Sequence, residues 1–298
     1  MNVIEQYQAH LLSRDKSPKT IQGYGADLKQ FQKWVGRPLE TITSADVRAY
    51  RDHLISIGAS ANTIGRHLAS LASFGQWGET KGGLFAENPA LHVEPVEVAM
   101  LAPRWLTKSQ KRKLLNVVAE DLRSAREKYP RLWVIRQRDA VMVNFLLATG
   151  LRVGELCELR LSDLILSERK GSVRVRSGKG RKQRSVALMN EIRKELAEWL
   201  TVRPQVASDR IFIGQRGEPV QPRVVQRVVE RYAQQAGLDD VTPHTCRHTF
   251  AKELLNSGAS PFEVAKLLGH SSLDSTARYT QPSEEDLMNA VERMGENV

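Results

Sequence analysis

The sequence predicts a mostly α-helical protein with a small antiparallel β-sheet, divided into two domains. Three observations carry this. Apolar residues recur three and four apart through the first third of the 298-residue chain. A stretch from His92 to Pro103, with two prolines, then interrupts the helical texture. Finally, short β-prone runs between Leu164 and Leu188 surround a glycine-rich tip.

In the first third, Ser17 is placed to cap a helix whose first residue is Pro18, a position where the missing N–H costs nothing. Ile21, Tyr24, Leu28, Phe31 and Val35 then form one apolar face on a 3.6-residue period. A second helix starts at Thr43, with Asp46 completing a partial capping box. It carries Val47, Tyr50, Leu54 and Ile57 and stops at Gly58. A third follows Ser60, with Ile64, Leu68, Leu71, Phe74 and Trp77 as its face. Asn88-Pro89 closes the unit, and the prolines of the next stretch bias their neighbours away from helix. The expected division is residues 1–91, a linker 92–103, and residues 104–298.

The second unit begins with a helix from Thr107 to about Arg126, then one from about Ile135 to Thr149 that closes at Gly150. Ser172 to Arg176 alternates apolar and polar residues, and Arg184 to Leu188 is a second short β-prone run. Ser177-Gly178-Lys179-Gly180-Arg181 between them makes a β-hairpin with a glycine-rich tip, and Leu164-Ile165-Leu166 adds a third strand. Helices resume at Glu191–Val202, Pro222–Gly237, Pro243–Ser257, Pro261–Leu268 and near Glu284–Met294.

A formal net charge of +10 favours a polyanionic partner, because each Lys or Arg that meets a phosphate releases condensed counterions. A merely basic surface is the plainer alternative. Cys157 and Cys246 stand in no Cys-x-x-Cys pair, which argues against a disulfide scaffold or zinc ribbon and suits a reducing cytosol. Residues 1–6 have no signal-like pattern, and the apolar run Ala140–Thr149 is far short of the ~20 residues that span a bilayer. The expectation is a soluble, cytoplasmic protein with no membrane partner.

Five places in the second unit carry chemistry. Arg152 follows the Gly150 cap at the start of a helix, with Glu155 three residues on and on the same face. Lys179 stands at the hairpin tip within a basic run, Arg174, Arg176, Lys179, Arg181, Lys182 and Arg184. That run is either a solvated ribbon or a hairpin that enters a DNA groove. His244 and Arg247 share a face in the first turn of a helix begun by Thr242-Pro243, where free N–H groups favour an anion. A metal site of His244, Cys246 and His248 fails on a helix, since Cys246 lies about 200° around from His244. His270 follows the Gly269 cap, and Tyr279 comes soon after. Singly, each has a plain structural explanation: a surface ion pair, a helix-end histidine, a core tyrosine.

Together they do not. Ala-Thr-Gly-Leu-Arg-x-Gly-Glu-Leu, Gly-Lys-Gly-x-Lys, Pro-His-x-x-Arg-His, Leu-Leu-Gly-His-Ser and the downstream tyrosine resemble the tyrosine site-specific recombinases of the phage integrase and Xer type. The resemblance spans essentially the whole chain. The first unit, through Ser17-Pro18-x-Thr20 and Asn88-Pro89-Ala90, is similar to that family's helical, SAM-like core-binding domain.

The resemblance implies a C-shaped clamp of a core-binding and a catalytic domain, acting on double-stranded DNA at specific recombination sites. Strand exchange would pass through a 3′-phosphotyrosyl intermediate and a Holliday junction. Arg152 and Arg247 would clamp the scissile phosphate and His270 would add a donor. Lys179 would protonate the leaving 5′-oxygen, His244 would act as general acid and base, Tyr279 would be the nucleophile, and Glu155 would hold the set together. Arg174, Arg176, Arg181, Lys182 and Arg184, with Lys19 and Arg66 of the first unit, are the expected DNA contacts. No metal and no cofactor are implied. The assembly would be a homo-tetramer on DNA, with a related recombinase as a further candidate partner. The last helix, with Leu287, Met288, Ala290, Val291 and Met294, would dock into a neighbouring protomer or pack in cis. Residues 117–132 are longer and more charged than the family pattern and read as an inserted solvated loop. The rival functions are a type IB topoisomerase and a DNA-binding protein without catalysis.

Overall fold

The computed structural model describes residues 2–94, 104–129, 132–167, 169–176 and 183–269. They fall into two compact units, one within Met1–Leu101 and one within Ala102–Val298.

The first unit contains α1 (Val3–Ser13), α2 (Pro18–Val35), α3 (Ser44–Ser56) and α4 (Ala61–Trp77). The expected caps form: the Ser17 hydroxyl accepts from the Thr20 N–H at 3.1 Å, and the Ser60 hydroxyl from that of Thr63 at 3.2 Å. Leu28 and Phe31 of α2 bury with Val47, Tyr50 and Leu54 of α3 and Ile64, Leu71 and Phe74 of α4. Helix α1 precedes the first helix expected from the sequence, the one capped by Ser17. Its signal was present as Asn2-x-x-Glu5: the Asn2 side chain accepts from the Glu5 N–H at 2.9 Å, and the Glu5 carboxylate from that of Asn2 at 3.0 Å. Tyr7 of α1 is fully buried, edge-on to Phe74, and its hydroxyl donates to Ser73 at 2.6 Å.

The second unit is built around α6 (Trp133–Thr149). Seven of the eight residues from Ala140 to Leu147 are buried apolar ones, so this helix is covered on all sides. It packs against α5 (Lys108–Lys128), α8 (Asn190–Val202), α9 (Pro222–Gln235) and α10 (Pro243–Asn256). The apolar run is therefore the centre of a globular core. Among the described residues no helix is long and apolar enough to cross a membrane.

The solvated loop expected at 117–132 is instead mostly helix. Helix α5 continues to Lys128, with Val118 and Ala125 buried. Asp121 accepts from the Tyr232 hydroxyl at 2.7 Å and pairs with Arg136 at 3.5 Å. The charges that suggested a loop are largely the wet face of an amphipathic helix.

The sheet is antiparallel in the order β1 (Leu164–Leu166), β2 (Gly171–Val175), β3 (Arg184–Ala187). Val173 pairs with Leu164 on one side and Val186 on the other. Val173, Val175 and Val186 bury one face, as a strand period of two requires. The hairpin tip, 177–182, lies outside the described residues, as does the expected last helix. The described residues of this unit also form α7 (Val153–Glu158) and α11 (Pro261–Leu268).

Candidate active site

Helix α6 ends at Gly150, whose φ of 60° is left-handed. A side chain there is strained by that conformation, and its Cβ would stand 2.4 Å from the Phe250 ring. The sharp turn sets Arg152 as the residue that caps the start of α7. Glu155, in the first turn, closes back on it. One carboxylate oxygen accepts from the Arg152 backbone N–H at 2.8 Å and the other from its guanidinium Nη1 at 3.1 Å. The i,i+3 relation read from sequence is thus a two-point hold that sets the direction of a half-exposed arginine.

Arg247, on α10, is buried and its guanidinium bridges two chain ends. Nη1 donates to the Gly150 carbonyl and Nη2 to that of Leu268, each at 2.7 Å. Gly150 closes α6 and Leu268 ends α11, so this one side chain ties both to α10. Arg184, the first residue of β3, donates from Nε to the Leu267 carbonyl at 2.7 Å. Arg152 Nη2 reaches the Gly269 carbonyl at a long 3.5 Å. Three successive carbonyls, 267, 268 and 269, therefore each meet a different arginine. The C-terminus of a helix is its negative pole, where guanidinium groups are stabilised. The next residue in the chain is His270.

The Arg184 guanidinium also forks onto Glu155, Nη1 to Oε1 at 2.9 Å and Nη2 to Oε2 at 2.8 Å. Burial alone would push the Glu155 carboxyl up. The Arg184 hydrogen bonds, the Arg152 N–H and the two guanidinium charges outweigh it and hold the group below the ordinary glutamate range.

His244 occupies the first turn of α10 and is exposed, its ring 6.5 Å from that of His248. Cys246 is fully buried and its thiol is pushed up to about 12 by that burial, so it fills the core and is no ligand. Among the described residues no group of three or more His, Cys, Asp or Glu side chains could hold a metal ion.

The structure thus brings Arg152, Glu155 and Arg247 together with the end of α11. Lys179, Arg181, Lys182, His270 and Tyr279 lie outside the described residues. Of the remaining basic positions, Arg174 is exposed on β2 and Lys19 on α2. Arg176 is half-exposed and pairs with buried Asp163 at 2.6 Å. Arg66 is half-exposed and pairs with buried Asp27. Arg184 corrects its grouping with the outward basic run: only 12% of its side chain is exposed, and its fork is spent on Glu155. Strand parity explains the difference. Arg174 and Arg176 lie on the face opposite Val173 and Val175, whereas Arg184 shares the face of Val186.

Sequence reasoning also passed over the outer face of α9. Val225, Val228, Val229 and Tyr232 bury one side of this helix and leave Arg223, Gln226, Arg227 and Glu230 exposed on the other. Arg and Gln on one open helix face are the side chains that match guanine and adenine edges. The strict apolar period from Val225 to Tyr232 was the available signal.

Comparison with known proteins shows the family and the fold. Residues 104–286 match the model of the Phage integrase family, and residues 4–82 match that of the Phage integrase, N-terminal SAM-like domain. The chain is 33% identical over 293 residues to the tyrosine recombinase XerC of Corynebacterium efficiens, covering 97% of this chain and 90% of that one. It is 30% identical to the tyrosine recombinase XerA of Thermococcus kodakarensis, covering 98% and 94%. Among solved structures, XerH recombinase bound to a palindromic difH substrate in a post-cleavage complex superposes with TM-score 0.75 at 22% identity, covering 91% of this chain and 78% of that one. The Tn1549 transposon integrase in complex with transposon right end DNA does so with TM-score 0.73 at 20% identity, covering 99% and 100%.

Proposed function

This chain belongs to the phage integrase family of tyrosine recombinases, enzymes that break and rejoin DNA at specific sites, and we propose that Tyr279 is its nucleophile and that Arg152 and Arg247 organise the phosphate it attacks. The observation that carries this reading is the meeting of Arg152 with its partner Glu155, Arg184 and Arg247 at residues 267–269, directly before His270. Four distant stretches of sequence converge on one point, and the next residue in chain is the expected third donor.

The proposed chemistry follows from the residue types. The Tyr279 phenol, with an ordinary pKa of ~10, loses its proton to a base beside concentrated positive charge. Its oxygen bonds to phosphorus while the bond from phosphorus to the 5′-oxygen breaks. The leaving oxygen takes a proton from Lys179, and His244 serves as acid and base. Arg152, Arg247 and His270 stabilise the charge that develops on the non-bridging oxygens. A 5′-hydroxyl from the partner strand reverses the step and frees the tyrosine. Phosphotyrosyl and phosphodiester bonds are close in energy, so rejoining needs no ATP.

We assign residues 1–91 to a domain that grips DNA, 92–103 to the linker and 104–298 to catalysis. Arg174 and Arg176, with Arg181 and Lys182 from the hairpin tip and Lys19 and Arg66 from the first unit, are the proposed phosphate contacts. The exposed face of α9 is the proposed reader of base edges. Four protomers on two sites, joined through the segment 284–294, make up the proposed assembly, and the cytoplasm is its proposed location. Family membership and the helical first unit favour recombination over topoisomerase-like relaxation.

Arg152→Lys and Arg247→Lys test the reading. Each should retain DNA binding and lose about 100-fold or more in covalent-adduct formation, the scale of removing an oriented donor. Adduct formed at the wild-type rate in both would refute it.

A further inference from the structure

Arg184 stands where three elements cross, yet it touches none of the groups assigned to the reacting atoms. It begins β3 at the base of the hairpin, opposite Val175. Its Nε holds the Leu267 carbonyl of α11, and its two terminal nitrogens hold both oxygens of Glu155. Each of those oxygens also accepts from Arg152, one from the guanidinium and one from the backbone N–H. The carboxylate is thus fully occupied.

We propose that Arg184 is a positioning residue that absorbs the charge of Glu155, leaving Arg152 with net positive charge and a fixed direction toward the scissile phosphate. The inference rests on the role assigned to Arg152 above. With two guanidiniums on one carboxylate, the cluster carries a net charge of +1. Without Arg184, Glu155 faces Arg152 alone. The pair is then neutral, and the carboxylate competes with the phosphate for the same guanidinium. The geometry also explains why an arginine is present. Three bonds to two differently placed groups use its rigid fork, which a lysine ammonium cannot reproduce. Gly269 makes room for it: a Cβ there would stand 2.8 Å from Arg184 Nη1.

The test uses the full chain and a nicked duplex that the wild-type protein captures from a randomised pool. Arg184→Met should keep its dissociation constant for that duplex within about threefold. Its single-turnover adduct formation at saturating protein should fall about 100-fold. Adding Glu155→Gln to Arg184→Met removes the uncompensated charge and should recover about tenfold of that loss, a coupling that a purely structural role would not produce. Arg184→Lys, which keeps the charge and loses the fork, should fall between wild type and Arg184→Met. Should Arg184→Met melt early, Arg184→Lys decides alone: it must lose rate at saturation with affinity held. Weakened affinity with an unchanged saturated rate would make Arg184 a DNA contact and overturn the proposal. So would an unaltered Arg184→Met rate, or a double variant no faster than Arg184→Met. A wild-type chain that captures no duplex would instead count against the proposed function itself.

Discussion

Arg247 donates to the Gly150 carbonyl at 2.7 Å across a separation of 97 residues, joining the helix that carries His244 to the turn that presents Arg152. Two parts of the candidate site are thus one mechanical unit, and damage to either end should be felt at the other.

Gly150→Ala is the sharpest probe of that unit. The substitution meets a φ of 60° and a Phe250 contact at 2.4 Å. Strain and displacement together should cost about 2 kcal/mol or more. Urea unfolding measures it. An unchanged midpoint would show that the turn relaxes freely and that its carbonyl is not held in place.

The ionised Glu155 should make stability depend on pH in a defined direction. Its carboxyl is held below the ordinary 4.5. A depressed carboxylate contributes stability that is fully present above the unfolded value and lost as pH falls through the folded one. The stability gap between wild type and Glu155→Gln should therefore be constant from pH 7 to about pH 5 and shrink below 4.5. Denaturant titrations at pH 7 and pH 4 check this. A gap that widens toward acid would contradict the geometry.

The continuous course of α5 is testable through its far end. Tyr232→Phe removes the hydroxyl that donates to Asp121 at 2.7 Å and should cost about 1 kcal/mol. Hydrogen exchange along 117–128 should quicken in the variant. No change in either would mean that the second half of α5 is not anchored to α9.

Arg223→Ala and Arg227→Ala on the exposed face of α9 should lower discrimination between the captured duplex and a scrambled one, by about 1–3 kcal/mol if either reads a base edge. A uniform loss on both duplexes, with a shallower salt dependence, would make them phosphate contacts instead.

Much of the fold was legible in the sequence because capping and periodicity are local. Ser17, Thr43, Ser60, Thr107 and Ser260 each sit just before a helix, and Gly36, Gly150 and Gly269 each close one in a left-handed turn. Helix α1 was missed because its cap, Asn2, stands at the very start of the chain, where no preceding pattern frames it. The helix expected from Thr107 to about Arg126 forms as α5; the loop also expected from 117 overlapped it, because a charged run looks alike on a loop and on a wet helix face. In the candidate site, Glu155 could be linked to Arg152 from spacing alone. That Arg184 would fork onto the same carboxylate could not, since it lies 29 residues away and only the strand's register turns it inward. The carbonyls of 267–269 carry no sequence signature at all, because every residue has one.

The central claim concerns Tyr279, and one measurement addresses it most directly: denaturant-resistant protein–DNA adduct on a nicked duplex, wild type against Tyr279→Phe. Wild type should form the adduct, and the variant should bind the same duplex and form none. Adduct of undiminished yield in Tyr279→Phe would place the nucleophile elsewhere and contradict the account.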